Sequence, residues 1–186
     1  QQYIACLDPL GEDRGKTPYA LNPEQYGMFL TELFNLWYED WKKGEQPYIR
    51  QFENYIGILL GYQPESCEQR GSCGTQNVVE ADGSVYPCDF YALDEYKLGN
   101  FNCNRLEEID KKRKEIAFVE QSQIVAENCK NCKFYKICKG GCRRNKDFNA
   151  MNGEYENYFC KSYRIFFDIC LERMIQIVEI IKNQKG

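Results

Sequence analysis

Two long stretches of the chain place apolar residues at the spacing of an amphipathic helix. In the first, Asn22 stands where an N-cap is expected, Pro23 follows in the first turn, and Gln25 completes a capping box. Gly44 follows the last apolar residue, as a C-terminal glycine does. The pattern predicts a helix over residues 22–44 that packs against a core. Its apolar face consists of Tyr26, Phe29, Leu30, Leu33, Phe34, Trp37 and Trp41.

The second amphipathic stretch lies near the C-terminus, from about Ser162 to Lys182. Its apolar residues also recur every three or four positions, which predicts a long helix that packs back on the body of the protein. The predicted apolar face consists of Tyr163, Phe166, Phe167, Cys170, Met174, Ile177, Val178 and Ile181.

The first third of the chain alternates extended and helical patterns. Residues 1–9 predict a short buried strand, and residues 48–50 a second extended piece. A shorter helix is predicted near residues 52–60 and is stopped by Gly61. The order strand–helix–strand–helix predicts the last βα units of a larger α/β body. The abrupt start suggests a fragment of a longer protein, so we expect this part to expose apolar surface or to cover it by self-association.

Turns and cysteines become frequent beyond residue 66. Two apolar runs within residues 76–88 flank Asp82-Gly83, which predicts a β-hairpin with a type I′ turn. Residues 91–100 and the polar segment after Cys142 show no regular pattern and are expected to be loops. A polar helix is predicted over about 105–121. Its inward-facing residues are expected to be Leu106, Ile109, Ile116 and Val119.

Composition and charge argue against several classes of function. The 186 residues carry a net charge of −4, which argues against nucleic-acid binding through global charge. No stretch approaches the ~18 apolar residues of a membrane span, and the first residues lack the pattern of a signal peptide. The chain has no histidine, which excludes histidine-based acid–base catalysis and Cys–His nucleophile pairs. We therefore expect a cytoplasmic protein that binds neither nucleic acid nor membranes.

The 11 cysteines carry the most specific chemical signal. Their odd number prevents complete pairing in disulfides within one chain. Four of them follow the spacing C-x2-C-x5-C-x3-C between Cys129 and Cys142, which is dense enough for thiolates to converge on metal. Three others are expected to be structural, as small apolar side chains: Cys6 in the first strand, Cys103 in a loop and Cys170 on the last helix.

The remaining eight cysteines are enough for two sets of four. They are Cys67, Cys73, Cys88, Cys129, Cys132, Cys138, Cys142 and Cys160. Four thiolates can hold either one zinc ion or one iron–sulfur cubane. The spacing favours iron–sulfur clusters and leaves zinc and disulfides as alternatives.

The cysteine spacing resembles that of a known domain. The order Cys73-x9-Gly83-x4-Cys88, the Cys129–Cys142 group and then Cys160 is similar to the seven-cysteine pattern of the SPASM domain, the C-terminal extension of many radical SAM enzymes. Cys67 supplies an eighth cysteine. The stretches QQYIACLDPLGEDRG, VVEADGSVYPCDFY, LGN and CKGGCRR narrow the resemblance to the anaerobic sulfatase-maturating enzymes.

The resemblance implies an α+β fold in three parts. Residues 1–66 would be the last βα elements of a partial TIM-type barrel. Residues 67–160 would form the SPASM domain, with a β-hairpin, cysteine-rich cluster-binding loops and helices. Residues 161–186 would form a C-terminal helix that packs on the body.

The resemblance also implies the cofactors and their ligands. Two auxiliary 4Fe–4S clusters would each have four cysteine ligands, which leaves no iron open to substrate and makes the clusters electron carriers. The first set would be Cys67, Cys73, Cys88 and Cys142, and the second set Cys129, Cys132, Cys138 and Cys160. Asp89 matches the position of the family's catalytic base, and Leu7 matches a position near the adenosine moiety of S-adenosylmethionine.

The implied reaction is the oxidation of a cysteine or serine of a sulfatase polypeptide to formylglycine. It requires S-adenosylmethionine and a third 4Fe–4S cluster, which belong to the full-length protein, because the motif C-x3-C-x2-C is absent here. We therefore expect this chain to be inactive alone, and the full-length enzyme to work anaerobically with an external electron carrier such as flavodoxin or ferredoxin. Two alternatives are a radical SAM enzyme that modifies another peptide, and a stand-alone iron–sulfur or zinc adaptor that binds peptides.

Overall fold

The computed structural model describes residues 1–184, and the chain divides into two compact units. The first unit comprises Gln1–Gly71 and the residues from Val125 onward, and the second unit comprises Ser72–Ile124. The α-helices of the described residues are α1 (Pro23–Lys43), α2 (Arg50–Leu59), α3 (Cys67–Arg70), α4 (Leu106–Glu115), α5 (Phe118–Ser122), α6 (Glu127–Lys130), α7 (Tyr135–Cys138) and α8 (Cys160–Gln184). The strands are β1 (Val78–Val79), β2 (Ser84–Tyr86), β3 (Gly99–Asn100), β4 (Lys146–Asn149) and β5 (Glu154–Asn157), and short 3₁₀ turns span Asp89–Tyr91, Asp94–Tyr96 and Arg143–Asn145.

The two long helices form the centre of the first unit, as their periodicity predicts. Asn22 caps α1 in a capping box with Gln25, and Gly44 ends the helix with φ 77°. Gly27 permits a close crossing with α8, because a Cβ at this position would lie 3.0 Å from the Cα of Ser162. The buried core that both helices share with α2 includes Leu30, Phe34, Trp37, Phe52, Phe166, Phe167 and Met174.

The first nine residues correct two predictions. They form no strand, and Cys6, predicted to be buried in that strand, is exposed. A strand requires hydrogen-bonding partners for its backbone groups, whereas this segment makes few backbone hydrogen bonds to the rest of the chain. Gln1 accepts a hydrogen bond from the backbone N–H of Arg50 at 2.9 Å, and Cys6 accepts one from Leu21 at 3.3 Å.

The extended piece predicted at residues 48–50 forms no strand either, and Arg50 already belongs to α2. The predictions of a second helix and of exposed apolar surface in residues 1–66 agree with the structure. Helix α2 begins two residues earlier than predicted and is followed by Gly61 with φ 90°. Exposed apolar surface is present in this part, as expected. Its exposed large apolar side chains are Ile4, Tyr19, Met28, Phe29, Leu36, Tyr48 and Tyr62.

The second unit contains a three-stranded antiparallel sheet in the order β1-β2-β3. Val79 pairs with Val85, so the predicted hairpin is present, but its turn is longer than predicted. The backbone N–H of Gly83 donates to the carbonyl of Glu80 at 2.9 Å, and Gly83 has φ 84°. The type I′ prediction is wrong because the backbone N–H of Glu80 donates to the carbonyl of Ser84 at 2.9 Å, which leaves three loop residues, 81–83, with Gly83 as the left-handed one. Leu98, expected in a loop, is buried just before β3.

The predicted polar helix of the second unit is broken. Ala117 adopts φ 48° and separates α4 from α5. Ile109 is buried as expected, but Leu106 is half exposed and Arg113 is buried instead.

The polar segment after Cys142 also differs from the prediction. It forms the antiparallel pair β4-β5 in the first unit, in which Phe148 pairs with Tyr155.

Candidate metal centre

The segment from Cys129 to Cys142 is folded by short helical turns and a run of left-handed residues. Helix α6 contains Cys129, and α7 ends on Cys138. Lys139, Gly140 and Gly141 then adopt φ 56°, 83° and 72° in succession. Two glycines lower the cost of this reversal, because left-handed backbone strains residues that carry a Cβ.

Asn157 at the end of β5 connects this reversal to the last helix. Its side-chain amide donates to the carbonyl of Gly140 at 2.9 Å, and its side-chain oxygen accepts from the backbone N–H of Phe159 at 2.8 Å. The next residue, Cys160, is the first residue of α8. One side chain thus fixes the turn after Cys138 and the position of Cys160.

The four cysteines of the second set meet at one cavity. Cys129, Cys132, Cys138 and Cys160 line a cavity of about 30 Å³, which exceeds the ~10–15 Å³ that a water molecule needs. Phe134, Tyr163 and Phe167 form much of its apolar wall. Four cysteines around one cavity with an apolar wall supply the donor set of zinc and of iron–sulfur clusters, so the second set fits a cluster.

Burial is the main influence on the pKa of three of these thiols, Cys129, Cys138 and Cys160. It raises the pKa of Cys138 to about 12 and also raises the pKa of Cys129 and of Cys160, and the neighbouring thiolates add to the effect. Bringing several thiolates into this cavity without a cation is therefore unfavourable. A metal changes this balance, because it binds thiolates and displaces their protons.

Arg164 is a residue of this cavity that the sequence analysis missed. It lies four positions after Cys160 on α8 and lines the same cavity. The negative charges on Cys160 and Cys132 raise the pKa of its guanidinium. The spacing of four from a predicted ligand was the signal available in the sequence, because residues i and i+4 share a helix face.

The first set of cysteines is divided between the two units. In the first unit, Cys67 begins α3, and the sulfur of Cys142 accepts a hydrogen bond from the backbone N–H of Arg144 at 3.4 Å. In the second unit, Cys73 and Cys88 interact electrostatically. The assignment of these four residues to one cluster stays a prediction.

Asp89 follows Cys88 directly and begins a 3₁₀ turn. Its carboxylate accepts a hydrogen bond from the thiol of Cys88 at 3.1 Å, and the side chain is exposed. Burial and this hydrogen bond raise the pKa of Cys88 to about 12. The structure thus offers a solvent-accessible carboxylate at Asp89.

The remaining predicted positions are distributed over both units. Leu7 is partly buried and packs against the core of the first unit. Cys170 is buried on α8, as predicted, whereas Cys103 lies exposed in the turn before α4. The roles predicted for Asp89 and Leu7 remain untested by these positions.

The described residues contain neither a preformed site for a single metal ion nor a membrane-spanning helix. No three cysteine or carboxylate side chains within residues 1–184 lie close enough together to hold a single metal ion. No helix in the same range is long and apolar enough to cross a membrane. The cluster assignment of the second set therefore depends on its cavity and on the comparisons with known proteins.

Comparison with known proteins gives a consistent result. Residues 67–133 match SPASM, an iron–sulfur cluster-binding domain. The chain is 45% identical over 181 residues to the cysteine-type anaerobic sulfatase-maturating enzyme of Clostridium perfringens. The aligned residues make up 97% of this chain and 49% of that protein. The serine-type enzyme of Bacteroides thetaiotaomicron is 32% identical over 179 residues, covering 95% of this chain and 42% of that protein.

A solved structure agrees with these relatives. The fold matches native anSMEcpe with bound AdoMet and Cp18Cys peptide at a TM-score of 0.88 and 43% identity, covering 97% of this chain and 50% of that one. The chain spans about half the length of the curated relatives it matches. Residues 67–133 thus match a SPASM iron–sulfur cluster-binding domain, and the chain is similar over nearly its whole length to the C-terminal half of the anaerobic sulfatase-maturating enzymes.

Proposed function

We propose that this chain is the C-terminal part of a radical SAM enzyme that oxidises a sulfatase side chain to formylglycine. The observation that carries the proposal is the 45% identity to a sulfatase-maturating enzyme over 97% of the chain. The cavity lined by the second set of cysteines supports it independently, because it offers four thiolates at one place. The alternative of a stand-alone zinc or iron–sulfur adaptor has no comparable support.

The two proposed 4Fe–4S clusters would supply electron transfer. In the second set, Cys129, Cys132, Cys138 and Cys160 would occupy one coordination position each. The same count applies to the first set, Cys67, Cys73, Cys88 and Cys142. Complete cysteine ligation favours transport of electrons over direct binding of substrate.

Asp89 is the proposed general base, which would accept the proton of the substrate thiol or hydroxyl. It is an exposed carboxylate, so a substrate can reach it without rearrangement of a buried core. Its hydrogen bond to Cys88 places this carboxylate beside a proposed cluster ligand. Leu7 is proposed to lie near the adenosine of S-adenosylmethionine in the full-length protein.

The proposed target residue is a cysteine. The relatives named cysteine-type are 42–45% identical to this chain, whereas those named serine-type are 25–32% identical. A solved relative contains a Cp18Cys peptide, which supports a peptide substrate. The sulfatase polypeptide and an external flavodoxin or ferredoxin are the proposed partners.

The remaining features of the proposal concern the whole protein. We propose that residues 1–66 pack as the last βα elements of a partial barrel, and that the chain expressed alone is inactive. The expected site of action is the cytoplasm under anaerobic conditions. The exposed apolar side chains of this part support the packing, because they provide a surface that a further part of the polypeptide or a second copy can cover.

The test is an assay of the full-length protein purified without oxygen. We expect oxidation of a cysteine-containing sulfatase peptide to formylglycine, detected by mass spectrometry, and S-adenosylmethionine cleavage in the same mixture. A matched peptide with serine should react more slowly. Iron and sulfide analysis should give about eight of each for the two auxiliary clusters, beyond those of the third cluster. Stoichiometric zinc without sulfide, or turnover of neither peptide, would reject the proposal.

A further inference from the structure

Arg164 is the charged side chain among the described residues that line the cavity of the second cysteine set. Its neighbours on the wall are the four cysteines and apolar or neutral side chains, among them Phe134, Tyr163 and Phe167. The residue itself is exposed. The side chain therefore has contact with solvent and also forms part of the cavity wall.

The position of Arg164 follows from the helix that carries a proposed ligand. Cys160 is the first residue of α8, and Arg164 lies one turn later on the same face. It lines the same cavity as Cys160 and as Cys132, which belongs to the turn between α6 and α7. The cationic side chain thus lies beside two proposed ligands that come from different elements.

A guanidinium at this place has a defined effect on electron transfer. It is always positively charged, and its planar set of donors can contact two acceptors at once. Hydrogen bonds to sulfur and local charge are two of the factors that set the reduction potential of an iron–sulfur cluster. Reduction adds one negative charge, which the sulfur ligands share. A cation beside those sulfurs stabilises the reduced state more than the oxidised state.

We propose that Arg164 is a positioning residue that raises the reduction potential of the cluster held by Cys129, Cys132, Cys138 and Cys160. The inference depends on the proposed cluster at these cysteines. According to this inference, one side chain of α8 controls how readily that cluster accepts an electron.

Other cations near the site must be separated from Arg164. Lys146 on β4 acts electrostatically on Cys129 and partly offsets the burial that raises the pKa of that thiol. It lies on a different element, so changes at Arg164 leave it in place. A lysine at position 164 keeps the positive charge and a glutamine removes it, so the two variants separate the effect of the charge from that of the rest of the side chain.

The experiment compares three variants of the full-length protein purified without oxygen. They are Arg164→Gln, Arg164→Lys and the matched control Arg173→Gln. Arg173 lies on the same helix, and its guanidinium contacts the sulfur of Cys170, which is not a predicted ligand. Reductive titration followed by electron paramagnetic resonance gives the midpoint potential of each cluster, and a Cys132→Ala variant identifies the signal of the second set.

We expect Arg164→Gln to lower the equilibrium constant for reduction of that cluster about tenfold, a shift of about 59 mV to more negative potential for one electron. Arg164→Lys should shift it less, Arg173→Gln should leave it unchanged, and iron content should stay at the wild-type value in all three. An unshifted signal in Arg164→Gln, an equal shift in Arg173→Gln, or loss of the cluster instead of a shift would overturn the role of Arg164. Absence of the signal from the wild-type protein would overturn the cluster assignment as well.

Discussion

Asp8 shows how one buried carboxylate stabilises an irregular segment. It is 2% exposed and accepts hydrogen bonds from the backbone N–H groups of Gly15 and Thr17 at 2.7 and 2.8 Å. Burial raises the pKa of Asp8, but these bonds and one from the Thr17 hydroxyl outweigh burial and lower the pKa to about 2. The ordered loop after Asp8 therefore depends on an ionised carboxylate.

Acid should weaken the protein through this residue. The folded pKa of about 2 lies below the ordinary aspartate pKa of 3.8, so the carboxylate stabilises the fold fully above about pH 4 and loses that effect as the pH falls toward 2. Asp8→Asn should have a lower denaturation midpoint than wild type at pH 6, and the difference should shrink between pH 4 and pH 2. The exposed residue Asp13 gives the control Asp13→Asn. A difference that is constant from pH 6 to pH 2 would contradict the prediction.

Asp89 provides a test of the proposed base. In the full-length enzyme, Asp89→Asn should reduce formylglycine formation by about 10²–10⁴-fold, the usual contribution of a general base, while cleavage of S-adenosylmethionine continues. Asp94→Asn is the matched control, because Asp94 is also exposed and also begins a 3₁₀ turn. Mass spectrometry of the peptide and chromatography of deoxyadenosine measure both outcomes. Wild-type turnover in Asp89→Asn would remove the residue from the mechanism.

At the scale of elements, local signals predicted much of the structure. Asn22, Gln25 and Gly44 fix the ends of α1 through contacts within a few residues, so the sequence predicted this helix closely. The strand over residues 1–9 failed because pairing depends on distant residues. The break at Ala117 has no signal in the sequence, since alanine rarely adopts a left-handed backbone. The hairpin β4-β5 was missed, although Asn152-Gly153 is a strong turn signal.

The predicted site also combines features that have a local sequence signal with features that depend on distant residues. The spacing within Cys129–Cys142 and the position of Cys160 identified the four residues that the structure brings to one cavity. The sequence did not identify Asn157, which holds the turn, because its contacts to Gly140 and Phe159 depend on the unpredicted hairpin. Grouping of the first set by spacing alone was not possible, and it still depends on the resemblance.

The glycine reversal after α7 gives a prediction for this element. Gly141→Ala should destabilise the fold by more than the ~1–2 kcal/mol of left-handed strain, because its Cβ would collide with the side-chain amide of Asn157. Gly153→Ala is a matched control with the same φ of 72° and no atom within 4 Å of the added Cβ. The midpoint temperature of unfolding and the iron content should both be lower in Gly141→Ala than in Gly153→Ala. Equal effects of the two substitutions would show that strain alone matters.

At the scale of the whole molecule, the exposed apolar side chains of residues 1–66 indicate a surface that contacts another part of the polypeptide or another chain. Met28 is 63% exposed and Leu36 is 68% exposed, and both lie on α1. They are eight positions apart, a little over two helical turns, so both side chains lie on the same side of α1. Such a surface is expected to be covered by another part of the polypeptide or by a second copy of the chain.

The 186-residue chain expressed alone should therefore self-associate. Sedimentation velocity is expected to show a mass that rises with concentration, because association buries the apolar side chains of α1. Replacing both Met28 and Leu36 by Glu should shift the chain toward the monomer, since each carboxylate would have to be desolvated in the contact. Met151→Glu is the control, because Met151 is 96% exposed but lies in the β4-β5 turn, away from α1 in sequence. A chain that stays monomeric at every concentration, or a Met151→Glu variant that dissociates as readily as the double variant, would show that this surface does not drive association.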